Sequence, residues 1–248
     1  MNCPKCGAEQ PDAGEICGRC GIVFEKYYKY HPRPGDAPRP SYHPVQGVAE
    51  GSGLRGLLFP SERNGDWVTL ALRTILLSVL LFWGLSLMLS SVASNTAGES
   101  FLHLVNLPFH EFGHILFRPF GSFLTSLGGT LGQLLIPAVC VGVLLVKTRD
   151  PFGASVALWW FGENFLDIAP YISDARAGQL PLVGGNFGHS APYGFHDWEY
   201  ILTESGLLHH DQSLARFSHF LGSSIMLVAL IWGAVQLSRH FLWLRQRT

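Results

Sequence analysis

The residues His110-Glu111-Phe112-Gly113-His114 form an H-E-x-x-H pattern inside an otherwise apolar stretch. On a helix the two histidines fall one turn apart on one face. Both imidazoles then reach one zinc ion, while Glu111 beside them takes a proton from a water activated there. The chemistry implied is metal-assisted hydrolysis. The plain alternative is two histidines and a glutamate satisfied by polar neighbours, and in a membrane helix it carries a cost. A carboxylate at the centre of a spanning helix is disfavoured by about 2.5–3.5 kcal/mol.

Four of the five cysteines make a second constellation, Cys3-x-x-Cys6-Gly7 and Cys17-x-x-Cys20-Gly21. Two residues between thiolates let one turn aim both sulfurs at one metal, and two such knuckles close a tetrahedron. With all four positions filled by sulfur the zinc has no open site, so it is expected to be structural and to supply folding energy that about thirty residues cannot draw from a core. A disulfide pairing is disfavoured because Met1 leads straight into Cys3-Pro4-Lys5-Cys6 with no secretory signal, which places this ribbon in the cytoplasm. Cys140, alone in an apolar run, reads as a small hydrophobe.

The elements that must position these residues follow from composition. Hydrophobic residues are 48% of the 248 and charged residues 14%, too few charges for an ordinary water-facing surface. The formal net charge of -1 gives no basic footprint, so no nucleic-acid partner is expected and a lipid bilayer is. Polarity concentrates ahead of Trp67, which divides the chain into a zinc ribbon (1–30), a Pro/Gly-rich linker (31–65) and a helical transmembrane domain (66–248). Three runs satisfy the length of a span: Asp66 to Ala93, Phe123 to Val146 and Leu214 to Leu237. Two more, Phe101 to Phe120 and Phe152 to Asp174, carry ionisable groups. The fold class expected is mainly α, a polytopic helical membrane bundle of four to five membrane segments behind the ribbon. Lys147, Arg149, Arg239, Arg245 and Arg247 favour an even number of crossings, met if the Phe101 segment is re-entrant or broken, with Asn106 and Pro108 resembling a helix start inside it.

A catalytic zinc needs a third protein ligand and an open fourth position. In the Phe152 segment Glu163, Asp167, Tyr171 and Asp174 recur at four, four and three residues, one polar stripe that should face the bundle interior. The loop from Gly178 to Gln212 offers further donors: His189, His196-Asp197 and His209-His210-Asp211. His196 and Asp197 are also placed to line an entrance or hold a substrate strand. His103 and His219 read as hydrogen-bonded bundle residues, and Phe112, Trp159, Trp160, Phe161 and Phe165 as packing.

In these residues the chain resembles the site-2 protease family of intramembrane zinc metalloproteases, over about residues 100 to 175, without a PDZ-like insert. His110, Glu111 and His114 match that family's motif directly. The resemblance implies an Asp from a later helix as third ligand. Leu166-Asp167 after Asn164 is the nearest counterpart, with Ile168 where the family has Gly, and Asp174 is the rival. The head is similar to zinc ribbons that begin many bacterial membrane proteins, which points to a bacterial inner membrane and to a protein partner for the ribbon. The implied activity is hydrolysis of peptide bonds in membrane proteins. Glu111 accepts a proton from water activated at a zinc held by His110, His114 and Asp167, then protonates the leaving amine, while Asn164 binds the substrate backbone or the oxyanion. Two readings compete. A membrane di-iron oxygenase would need several paired-histidine boxes where this chain has one pair, His209-His210. A non-catalytic zinc-ribbon adaptor or assembly factor would be indifferent to loss of Glu111.

Overall fold

A computed structural model of the chain describes residues 1–11, 14–31, 53–60 and 65–247. Most of the expected linker, 32–52 and 61–64, lies outside the described residues. The chain forms two compact units, Met1–Glu50 and Gly51–Thr248.

The first unit is built twice from one pattern. The carbonyls of Cys3 and Cys17 accept from the N–H groups of Gly7 and Gly21, both 2.9 Å. These glycines have φ of 72° and 69°, a turn that a side chain would strain. Antiparallel bridges Asn2–Glu9 and Ile16–Val23 close the two knuckles. A short helix, α1 (Phe24–Tyr30), follows, and Phe24 packs with Cys3 and Cys17 as the unit's small core.

The second unit is helical, with no strand among the described residues. Its helices are α2 (Leu54–Leu58), α3 (Trp67–Leu89), α4 (Phe101–Phe117), α5 (Ser122–Val146), α6 (Pro151–Ser173), α7 (Asp197–Glu204) and α8 (Asp211–Arg245). Asp66 starts α3 by accepting from the Thr69 N–H at 2.8 Å. Three helices are long and apolar enough to cross a bilayer: α3, α5, and α8 with the turn before it. Between α3 and α8 the apolar core gathers Leu80, Leu87, Trp159, Leu166, Met226 and Leu230. Its centre is α6, buried along most of its length, Glu163 and Asn164 completely. That burial explains why α6 can carry acids that a lipid-facing helix could not.

Two expectations change here. Helix α4 runs without interruption through Pro108, so Asn106 and Pro108 mark no helix start. Asn106 is instead buried against α6, its oxygen accepting from Trp160 Nε1 at 2.8 Å. Part of the stretch expected as extended linker is the helix α2. The carbonyl after its turn is held: Leu58 accepts from Gln236 Nε2 of α8 at 2.8 Å.

Helices α4 and α5 form an antiparallel hairpin joined by a single turn at Arg118–Phe120 and by Gly121. Small residues let their backbones approach closely. A Cβ on Gly113 would collide with the Gly128 carbonyl, and one on Gly132 with the Phe109 carbonyl. This crossing brings α5 against the histidines.

Candidate metal centre

Each first-unit sulfur lies within 4.8 Å of the other three, with Cys3–Cys20 and Cys6–Cys17 pairs at 3.7 Å. Zinc–sulfur bonds of about 2.3 Å at tetrahedral angles require sulfur separations of about 3.8 Å, so the four cysteines fit zinc without rearrangement.

In the helical unit His110, Glu111 and His114 present their donor atoms within 4.8 Å of one another. Three residues of α5 at successive turns receive them. Thr125 offers its carbonyl, Gly129 offers space, and Gln133 offers its side-chain oxygen. His114 Nδ1 donates to Thr125 O at 2.7 Å, and His110 Nδ1 to Gln133 Oε1 at 2.7 Å. A Cβ on Gly129 would overlap His110 Nε2 and His114 Cε1.

The hydrogen-bond chain behind His110 fixes its tautomer. Asn164 Nδ2 donates to the Trp160 carbonyl at 2.9 Å, which leaves Asn164 Oδ1 to accept from Gln133 Nε2 at 3.2 Å. Gln133 therefore turns its oxygen to His110, whose Nδ1 carries the proton. His114 Nδ1 faces a carbonyl and carries its proton too. In the neutral rings both Nε2 atoms are bare acceptors. Both point at a third acceptor, Asp197 Oδ2, at 3.1 Å from His110 and 3.3 Å from His114.

Three acceptors meeting this way need a proton or a cation among them, and one metal ion would serve all three. Zinc bonds of about 2.0–2.1 Å at tetrahedral angles separate ligand atoms by about 3.3 Å, close to both observed spacings. A single zinc also avoids placing two imidazolium charges on rings only 4.8 Å apart. His110, His114 and Asp197 fit zinc, and their Nδ1 partners are the outer support such ligands require.

The acids expected from sequence are engaged elsewhere. Asp167 bonds His103 Nδ1 at 2.8 Å through one oxygen and accepts from Asn106 Nδ2 at 3.0 Å through the other. Asp174 accepts from the Gln179 and Leu180 N–H groups at 2.8 and 2.9 Å, with His196 Nε2 at 3.4 Å. It pins the start of the loop and does not face the histidine pair. Asn164, expected at the substrate, is fully buried behind Gln133. Of the loop histidines, His189 donates to the Gly178 carbonyl and His196 caps α7 by accepting from the Glu199 N–H. Asp197 follows that cap directly, and the cap is what turns its carboxylate inward.

The site opens on a cavity of ≈ 490 Å³ lined by His110, Glu111, His114, Tyr171 and Asp197 on one side. Leu180, Leu182, Val183 and Phe195 of the loop wall it on another. That volume is ordinary for a small-molecule or peptide site.

Comparison with protein-family models, with curated proteins and with solved structures finds no match to this chain.

Proposed function

We propose that the chain is a zinc-dependent membrane metallopeptidase that hydrolyses peptide bonds of membrane-protein substrates in the cavity beneath the 180–195 loop. The observation that carries this reading is the convergence of His110 Nε2, His114 Nε2 and Asp197 Oδ2, with Glu111 on the same cavity. Structural zinc sites close all four positions with protein ligands, as in the ribbon, whereas three protein ligands and an adjoining cavity leave room for water and substrate.

Zinc at this position supplies Lewis acidity to water and to a scissile carbonyl. The chain's own residues do the rest. His110, His114 and Asp197 would hold the ion, and Gln133 and Thr125 keep the two imidazoles in the ligating tautomer. Glu111 takes the proton of the attacking water and delivers it to the departing amine nitrogen. The loop residues Leu180 and Leu182 give the cavity an apolar side, and a substrate helix has to unwind for its amide to enter.

The reading extends to α4 and α6 as further membrane segments, inside a bacterial inner membrane, with the ribbon on the cytoplasmic side offering a docking surface for a protein partner. The resemblance of the H-E-x-x-H segment to site-2 proteases supports it, with Asp197 taking the place first given to Asp167.

The test is cleavage of a panel of transmembrane-segment peptides by the full chain in detergent, read by mass spectrometry. Wild type is expected to yield products, and Glu111→Gln to lose at least about 10²-fold in rate while keeping its zinc. Equal products from E111Q, or none from wild type across the panel, would leave the adaptor reading in place of the enzyme.

A further inference from the structure

The Asn164 side chain, expected to bind the oxyanion, is committed twice over within the bundle and does not line the cavity. A hydrolytic site still requires a donor where negative charge develops on the carbonyl oxygen. Gln133, which does line the cavity, gives one N–H of its amide to Asn164. The phenol of Tyr171, bonded to the Asp197 N–H, is a donor on that same cavity.

Three contacts hold Tyr171 in place. Its ring stacks on His196, centroids 4.2 Å apart, and lies 6.4 Å from the ring of His110. His196 is itself fixed, because its Nδ1 accepts from Glu199 N–H and its Nε2 faces Asp174. The Tyr171 oxygen accepts from the backbone N–H of Asp197 at 3.1 Å. That bond uses a lone pair and leaves the phenolic proton without a protein acceptor among the described residues. The hydroxyl is thus anchored on the residue whose carboxylate joins the two histidines, and its proton is available to the cavity that Glu111 also lines.

We infer that Tyr171 donates this hydrogen bond to the carbonyl oxygen of the scissile amide as that oxygen gains negative charge. The inference rests on the metallopeptidase reading and adds to it a catalytic residue that touches substrate. The bond is formed without proton transfer: the phenol keeps its proton, and Glu111 alone moves one. The accepted bond from Asp197 N–H polarises the phenol and strengthens its donation, as in other chained hydrogen bonds.

The experiment uses the full chain in detergent and acetohydroxamate, a small chelating oxyanion that needs no side-chain specificity. Zinc per chain and the hydroxamate dissociation constant are measured for wild type, Tyr171→Phe and the His110→Ala/His114→Ala double variant. Tyr171→Phe keeps the ring on His196 and removes only the hydroxyl. The result expected is two zinc ions in both wild type and Tyr171→Phe, with hydroxamate bound about tenfold more weakly by the latter. On any cleaved peptide kcat is expected to fall about 10²-fold with KM little changed. Equal hydroxamate affinity in the two proteins would overturn the inference while leaving the metal site standing. Loss of the second zinc from Tyr171→Phe would overturn it differently, by making Tyr171 a support for Asp197. A single zinc in wild type, unchanged in the double variant, would overturn the reading beneath it and the inference with it.

Discussion

In the ribbon, sulfurs at most 17 residues apart meet through two copies of one turn, while in the helical unit His110 and Asp197 meet across 87 residues and three packed helices. Among the described residues the ribbon's core is Phe24 and its cysteines with Ile22 and Tyr28 against them, so metal binding and folding are expected to be one event there. The helical unit has an apolar core of its own around Trp159, Leu166 and Met226. It can hold ligands in place before metal arrives and leave one side of the site open. A closed site built by local sequence stabilises, and an open one built by tertiary structure is suited to chemistry.

The largest expected effect sharpens that contrast. Removing zinc from the intact chain with a strong chelator should abolish amide-exchange protection in residues 1–31 and leave α3, α6 and α8 protected. Protection surviving in the ribbon would break the contrast. Next is Gly129→Ala, whose new Cβ must displace both imidazoles. It should cost the second zinc more than about 100-fold in affinity, measured by competition with a chelating dye, while helicity by circular dichroism stays unchanged. Gln133→Leu removes the acceptor that fixes the His110 tautomer and should cost about tenfold in the same assay.

The smallest effect belongs to Asp174, which ties the loop and not the metal. Asp174→Asn should keep both zinc ions and lose about 1 kcal/mol of stability at neutral pH. Burial alone would raise the Asp174 carboxyl, but His196 and the two backbone N–H groups outweigh it and hold it below the ordinary value. Its contribution is therefore present above the unfolded carboxylate pKa and fades as pH falls through the folded one. Thermal unfolding of wild type and D174N should converge in acid.

Local pattern carried much of this in the sequence. The two C-x-x-C-G knuckles, the H-E-x-x-H face and the three apolar helices all depend on spacing over a few turns. So does the polar stripe on α6, where Glu163, Asp167 and Asp174 are buried. What the sequence hid was which acid meets the histidines. Asp167 and Asp197 are both carboxylates near an apolar helix, and only packing sends one to His103 and Asn106 and the other to the histidine pair. A signal existed in α5, where Thr125, Gly129 and Gln133 share one face at four-residue spacing and Gln133 interrupts an apolar run. A lone amide there, opposite the histidines, is a tautomer-fixing partner. Asn164, expected at the substrate, is buried and bonded to Gln133 and the Trp160 carbonyl, as buried amides in a bundle are to their neighbours. Pro108 starts no new helix, because α4, packed closely on α5, runs through it and tolerates the missing N–H.

The measurement that bears most directly on the account is zinc per chain in the full-length protein in detergent, comparing wild type, His110→Ala/His114→Ala, Asp197→Asn and Asp167→Asn. The account predicts two, one, one and two. Two zinc ions in Asp197→Asn with one in Asp167→Asn, or no difference between wild type and the double histidine variant, would contradict it.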